Sequence, residues 1–263
     1  MPSPIGKENP RRVLPVIYVL DTSGSMEGDR IAAVNVAMKE TVEVLKEVAN
    51  ENAKAEIKIG VLTFNSTAQW MTKELVYIED FFWNNIKAGG LTEVSFALDA
   101  LYDQMSRSEL LVSDTGFLVP VVIFMSDGEP TDPGKWEPKL KWLVDNNTWF
   151  RCATKIALAV GQEADKGCLA KIVGSNEAVA EVTDLETLKK LIKVVSVTAS
   201  QLNAKSRTTA DASNGGDIVK KAVDDSDDPS KITVGSDTGY TPGADDDPWK
   251  NWNKNSADNG KWS

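Results

Sequence analysis

Val13-Leu14-Pro15-Val16-Ile17-Tyr18-Val19-Leu20-Asp21-Thr22-Ser23-Gly24-Ser25 decides the fold. Its first eight residues show no polar alternation, which predicts a strand buried on both faces of a parallel sheet. In open α/β sheets the ligand crevice lies beyond the carboxyl ends of the strands. Here that end carries a carboxylate and two hydroxyls at alternate positions, and Gly24 lets the loop turn sharply. Asp21, Ser23 and Ser25 are hard oxygen donors, suited to Mg²⁺, Mn²⁺ or Ca²⁺ and poorly suited to zinc or copper. The same residues also fit the N-cap of a helix that begins near Arg30.

Two further loops favour a metal over a cap. Gly89-Gly90-Leu91-Thr92-Glu93 precedes a helical pattern through Val94, Leu98, Leu101 and Met105, and its glycine pair lets Thr92 be aimed inward. A second unbroken apolar strand, Val119 to Met125, runs into Ser126-Asp127-Gly128-Glu129-Pro130-Thr131-Asp132, again setting a carboxylate at a strand's end. Each loop alone has an ordinary reading as a turn.

Together these residues resemble the von Willebrand factor A domain and its metal-ion-dependent adhesion site. That family's Asp-x-Ser-x-Ser is matched by Asp21, Ser23 and Ser25, its second-loop Thr by Thr92, and its third-loop Asp by Asp127. More narrowly, the stretches from Arg11 to Met26 and from Ser126 to Asp132 are similar to bacterial TerY-type proteins of tellurite resistance and stress response. The resemblance implies a Rossmann-like, doubly wound sheet of six mostly parallel strands in the order 3-2-1-4-5-6, the third antiparallel. The first and fourth strands then adjoin, which brings Asp21 and Asp127 together.

Periodicity agrees with that outline. Ile31, Val34, Met38, Val42, Leu45 and Val48 make the stripe of a helix packed on a sheet. Glu56 to Phe64 reads as a strand, and the short turn Asn65-Ser66-Thr67 requires an antiparallel neighbour, since a parallel one needs a crossover. Later elements are a helix around Pro138 to Asn146, a strand from Arg151 to Val160, and a helix from Glu163 to Ile172. A strand at Ala178 to Val182 and a helix from Leu185 to about Gln201 complete the series, so helices cover both sheet faces. Residues 1–10 read as a flexible start and 11–202 as the domain. Residues 203–263 read as an acidic, low-complexity and mostly disordered tail, too poor in apolar residues to offset ordering costs of roughly 1–2 kcal/mol per residue. Ile218, Val219, Ala222 and Val223 could form a brief helix there, with nothing to build a core. The tail ends with Trp249, Trp252 and Trp262, aromatics of the kind that anchor short recognition motifs.

Composition narrows the function. The 263 residues carry a formal net charge of −10, which argues against broad nucleic-acid or anionic-membrane binding. The sequence has no histidine, so the commonest general base and the usual zinc ligands are missing. Its two cysteines, Cys152 and Cys168, fall in apolar patterns and read as core residues. No secretory leader and no membrane span are legible, and a cytoplasmic protein is expected.

Charge counting then sets the mechanism. Two carboxylates bound directly would neutralise a divalent ion. If one acts through water, the ion keeps positive charge and a coordination position stays open for a partner's Asp or Glu. Mg²⁺ fits such a site because it uses one or two carboxylates and retains waters. The expectation is a protein-binding module rather than an enzyme. The competing class is an Mg²⁺-dependent phosphoester hydrolase using Asp21 or Asp127. The TerY-type resemblance implies a Ser/Thr kinase or phosphatase as partner, and Ser206, Thr208, Thr209, Ser226, Ser236, Thr238 and Thr241 offer sites for modification.

Overall fold

A computed structural model of the chain describes residues 11–51, 55–106, 108–182, 184–205, 214–226 and 229–236. The opening strand, β1, is Arg12–Asp21. Its Leu14, Val16, Tyr18 and Leu20 enter one core while Ile17 and Val19 enter another. Both faces of the strand are therefore covered, which is the physical reason for its unbroken apolar run.

The chain continues through α1 (Asp29–Glu51), β2 (Ala55–Phe64), β3 (Ala68–Trp70) and β4 (Val76–Tyr77). Next come α2 (Val94–Gln104), β5 (Val121–Ser126), α3 (Trp136–Asn146), α4 (Thr148–Cys152) and β6 (Thr154–Val160). The last elements are α5 (Lys166–Val173), β7 (Val179–Val182), α6 (Leu185–Lys205), α7 (Gly215–Asp224) and β8 (Ile232–Val234). The sheet order is β3-β2-β1-β5-β6-β7-β8, with β4 also paired to β2. The five central strands are parallel, and β3, β4 and β8 are antiparallel additions.

Setting β4 and β8 aside leaves the expected six-strand order with its antiparallel edge. One layer, α1, α6 and α7, buries Met38, Leu45, Ile192 and Ile218 against the sheet. The opposite layer, α2, α3 and α5, buries Leu98, Leu143 and Leu169. Because β1 lies between β2 and β5, its carboxyl end is the point where chain connections leave in opposite directions.

Two sequence expectations need correction. The strand expected from Arg151 starts at Thr154, because Asn147 caps a short helix instead: its side chain accepts from Phe150 N–H at 2.9 Å and donates to the Met105 carbonyl at 3.0 Å. Cys152 accordingly ends a helix, and both it and Cys168 are free thiols.

The second correction concerns the stretch expected to be tail. Within it, α7 and β8 complete the domain: Ile218, Val219 and Ala222 are fully buried, and Ile232 to Val234 pair along the free edge of β7. Such a helix needs no core of its own, since α6 and β6 already present one. The spacing of Ile218, Val219 and Ala222 on one helical face outweighs the low apolar content, each large side chain contributing about 1.5–3 kcal/mol on burial. Asn214 supplies the cap by accepting from Asp217 N–H at 2.8 Å. The tryptophans at 249, 252 and 262, and residues 1–10, lie outside the described residues.

Candidate metal centre

The register Leu20↔Met125 sets Asp21 beside Ser126 at adjacent strand ends. Asp21 is 1% exposed, and each of its oxygens is held. Oδ1 accepts from Ser23 N–H at 2.8 Å, and Oδ2 accepts from the Ser126 hydroxyl at 2.6 Å. Burial pushes its carboxyl above the usual value; the bonds from Ser126 and Ser23 pull it down, and the charge of Asp127 pushes it up again. A cation placed between the two carboxylates relieves both the desolvation and the repulsion.

Asp127 is likewise held at both oxygens. The Ser25 hydroxyl donates to Oδ1 at 2.7 Å, and Arg30 forms an ion pair with Oδ2. Ser23 Oγ and Ser25 Oγ lie 3.0 Å apart. A β-carbon built on Gly128 would stand 3.5 Å from Ser25 Oγ and 3.8 Å from Thr92 Oγ1, so both hydroxyls border the small space that the glycine keeps open. Asp21, Ser23, Thr92 and Asp127 are buried while Ser25 is exposed, which leaves one side of the cluster facing solvent.

Backbone bonds fix the loops to one another. Gly24 N–H donates to Gly90 carbonyl at 2.9 Å, and Gly89 N–H to Thr22 carbonyl at 2.8 Å. Gly90 has φ +92°, and a β-carbon there would come within 2.9 Å of Ser66 Oγ, so glycine is required by conformation and by space. The second and third loops are joined by Thr92 N–H to Thr131 Oγ1 at 3.1 Å and Thr131 N–H to Thr92 carbonyl at 2.8 Å. Asp132 caps α2 from across the gap, accepting from Ser95 N–H at 2.9 Å.

All five residues expected from the sequence are thus gathered at one strand edge. The structure adds three that sequence reasoning missed: Ser126, which orients Asp21; Asp132, which locks the second loop; and Arg30, which pairs with Asp127. Ser126 and Asp132 flank the motif and had a visible signal in their position. Arg30 read only as the first residue of a helix.

The donor set fits a hard divalent cation. It offers carboxylate and hydroxyl oxygen with no thiolate or imidazole, and the Ser25 and Thr92 hydroxyls both lie beside Gly128. Among the described residues no group of three or more His, Cys, Asp or Glu could hold a metal ion, so this site depends on its two carboxylates together with the hydroxyls.

Comparison with known proteins agrees with the fold. Over 185 residues the chain is 25% identical to inter-alpha-trypsin inhibitor heavy chain H2 of Mus musculus, a match covering 63% of this chain and 17% of that protein. The human counterpart is 26% identical over 179 residues, with the same coverage. The chain therefore spans under a fifth of the length of these curated relatives. Among solved structures, a von Willebrand factor type A protein from Catenulispora acidiphila superposes with TM-score 0.53 at 15% identity, covering 71% of this chain and 42% of that one. Proximal thread matrix protein 1 from mussel byssus, solved with a zinc-occupied metal-ion-dependent adhesion site, gives TM-score 0.51 at 18% identity over 72% of this chain and 46% of that one. At those identities the structural likeness speaks to fold alone. The sequence model of the von Willebrand factor type A domain matches residues 16–194. Since that match spans well over half of the sequence, the chain belongs to the von Willebrand factor type A domain family.

Proposed function

We propose that this chain is a protein-binding module in which Asp21, Ser23, Ser25, Thr92 and Asp127 hold Mg²⁺, and that a partner's Asp or Glu takes the remaining coordination position. Domains of this family commonly serve as metal-dependent interaction modules. The observation that carries the reading is the convergence of three hydroxyls and two carboxylates on one partly open cluster, with both carboxylates already oriented by hydrogen bonds. Mn²⁺ and Ca²⁺ share the required oxygen chemistry, and Mg²⁺ is preferred because the site offers few carboxylates.

The metal, when bound, supplies a Lewis-acidic charge to which an external carboxylate is drawn. The chain's own residues fix the loops, exclude water from the buried side and hold Asp21 in place through Ser23 and Ser126. Hydrolysis finds less support. An aspartyl nucleophile at Asp21 would want a second acidic residue two positions on, and this chain has Ser23 there. From the TerY-type resemblance we propose a bacterial stress-response or tellurite-resistance setting, a Ser/Thr kinase or phosphatase as partner, and a cytosolic location. Among the described residues no helix is long and apolar enough to cross a membrane.

Titration calorimetry with Mg²⁺ and Mn²⁺ tests the site: wild type binds, and Thr92→Ala and Asp21→Asn each bind at least about tenfold more weakly. Affinity capture from the host with Mg²⁺ or EDTA tests the partner, which is lost with EDTA and with Thr92→Ala. A partner set indifferent to both overturns metal bridging.

A further inference from the structure

Arg30 sits on the first turn of α1, and its guanidinium reaches back over the loop. One Nη pairs with Asp127 Oδ2 and donates to the Ser25 carbonyl at 3.3 Å. The group lies against Gly161, just beyond β6, where φ is +87° and a β-carbon would be 3.4 Å from the other Nη and 3.6 Å from Cζ. A β-carbon at 161 would thus stand in van der Waals contact with the guanidinium, which marks how closely the group follows this turn. Asp127 is fully buried while Arg30 is about a third exposed, so the pair runs from the interior of the cluster to its rim.

Other anions stand close by. Arg30 borders a cleft of about 260 Å³ together with Gly161, Glu163, Asp184 and Leu188. The guanidinium nevertheless pairs with Asp127, whose other oxygen is taken by the Ser25 hydroxyl.

We propose that Arg30 is a positioning residue that sets the charge of the loaded metal site. Asp127, unlike Asp21, is paired with a full cation, which restrains it from direct coordination and cancels half of the carboxylate charge beside the ion. A divalent ion facing two carboxylates alone is neutralised. The guanidinium leaves one positive charge over, and that surplus attracts an acidic ligand. Arg30 thereby weakens the hold on the metal and strengthens the hold on the anion. This inference rests on the metal-binding reading given above.

The test uses Mn²⁺ as the probe metal, with binding read by electron paramagnetic resonance, and acetate as the probe anion, read by its displacement of Mn²⁺-bound water in proton relaxation. Arg30→Ala is expected to bind Mn²⁺ on the order of tenfold more tightly, since a cation within several ångströms has been removed. The Mn²⁺-loaded variant is expected to bind acetate several-fold more weakly. Arg30→Lys retains the charge and is expected to track wild type in both. Should Arg30→Ala not fold, Arg30→Gln, which keeps a donor without the charge, carries the same expectation. A purely structural role predicts the opposite sign for the metal. Unchanged or weaker Mn²⁺ binding in a folded variant overturns the proposal. So does tighter Mn²⁺ binding with unchanged acetate affinity, because the guanidinium then merely competes with the ion and moves towards Glu163 and Asp184 when it enters. If wild type binds no Mn²⁺ and is indistinguishable from Asp21→Asn, the metal reading itself fails, an outcome separate from either.

Discussion

The Ser126 hydroxyl donates to Asp21 Oδ2 at 2.6 Å, tying together the carboxyl ends of β1 and β5. Neither residue is more than 5% exposed, so no solvent replaces the bond if it is removed. A hydrogen bond to a buried charge contributes about 1.5–3 kcal/mol. Ser126→Ala is therefore expected to lower unfolding stability by about that amount, measured in urea. It also frees Asp21 to rotate, and outer-sphere partners of metal ligands typically govern about 10- to 100-fold in affinity. Mn²⁺ titration of the same variant is expected to show a loss in that range, and an unchanged affinity would remove Ser126 from the site.

Legibility in the sequence followed the range of the interaction. The five central strands and most helices could be read because their signals are local: apolar runs for strands buried on both faces, and stripes for helices buried on one. Asp21, Ser23, Ser25, Thr92 and Asp127 were readable because loop chemistry at strand ends is also local. Arg30 was not, because its partner lies 97 residues away and a lone arginine at a helix start carries no pattern of its own. Of α7 only a brief helix was legible and not its docking, and β8 was not legible at all, because the apolar content there is low. They are held by surfaces built from β6, β7 and α6, and average composition cannot register a borrowed core.

Asn35 is the next point of leverage. From within α1 its Nδ2 donates to the Ile86 carbonyl at 2.9 Å, and its Oδ1 accepts from Ile86 N–H at 2.8 Å and Trp83 Nε1–H at 3.0 Å. This one side chain fixes the segment that leads into Gly89 and Thr92. Asn35→Ala strands three polar groups, two of them on the backbone of a buried residue. The expected loss is about 2–4 kcal/mol in denaturant unfolding, with weakened metal binding as the loop loosens. Retention of full stability would mean that water replaces all three bonds.

Gly215 tests whether α7 belongs to the domain. A β-carbon there would lie 2.0 Å from the Lys155 carbonyl and 2.8 Å from Ala178 Cβ, distances that only movement of the helix relieves. Gly215→Ala is expected to lift α7 from β6 and expose Ile218 and Val219, lowering stability by about 3 kcal/mol or more. Hydrogen exchange should show faster exchange in α7, β8 and the outer edge of β7. Exchange and stability equal to wild type would show α7 to be dispensable. Mn²⁺ affinity is expected to be less affected, since the cluster lies at the other end of the strands.

Asp184 gives a pH dependence of defined sign. It precedes α6 and accepts from Thr187 N–H at 3.1 Å and Thr187 Oγ1–H at 2.6 Å, capping the helix, with Lys231 3.4 Å away. The Thr187 hydroxyl, then the Thr187 amide, hold its carboxyl down to about 2. Because the folded value lies below the unfolded one of 3.8, the unfolded chain binds the proton first as pH falls. The stability due to this carboxylate is complete above about pH 4 and disappears as pH drops through about 2. Thermal melts of wild type and Asp184→Ala at stepped pH are expected to show a constant gap from pH 7 to about 4, then convergence towards pH 2. A gap that persists unchanged at pH 2 would assign the difference to packing rather than to the charged cap.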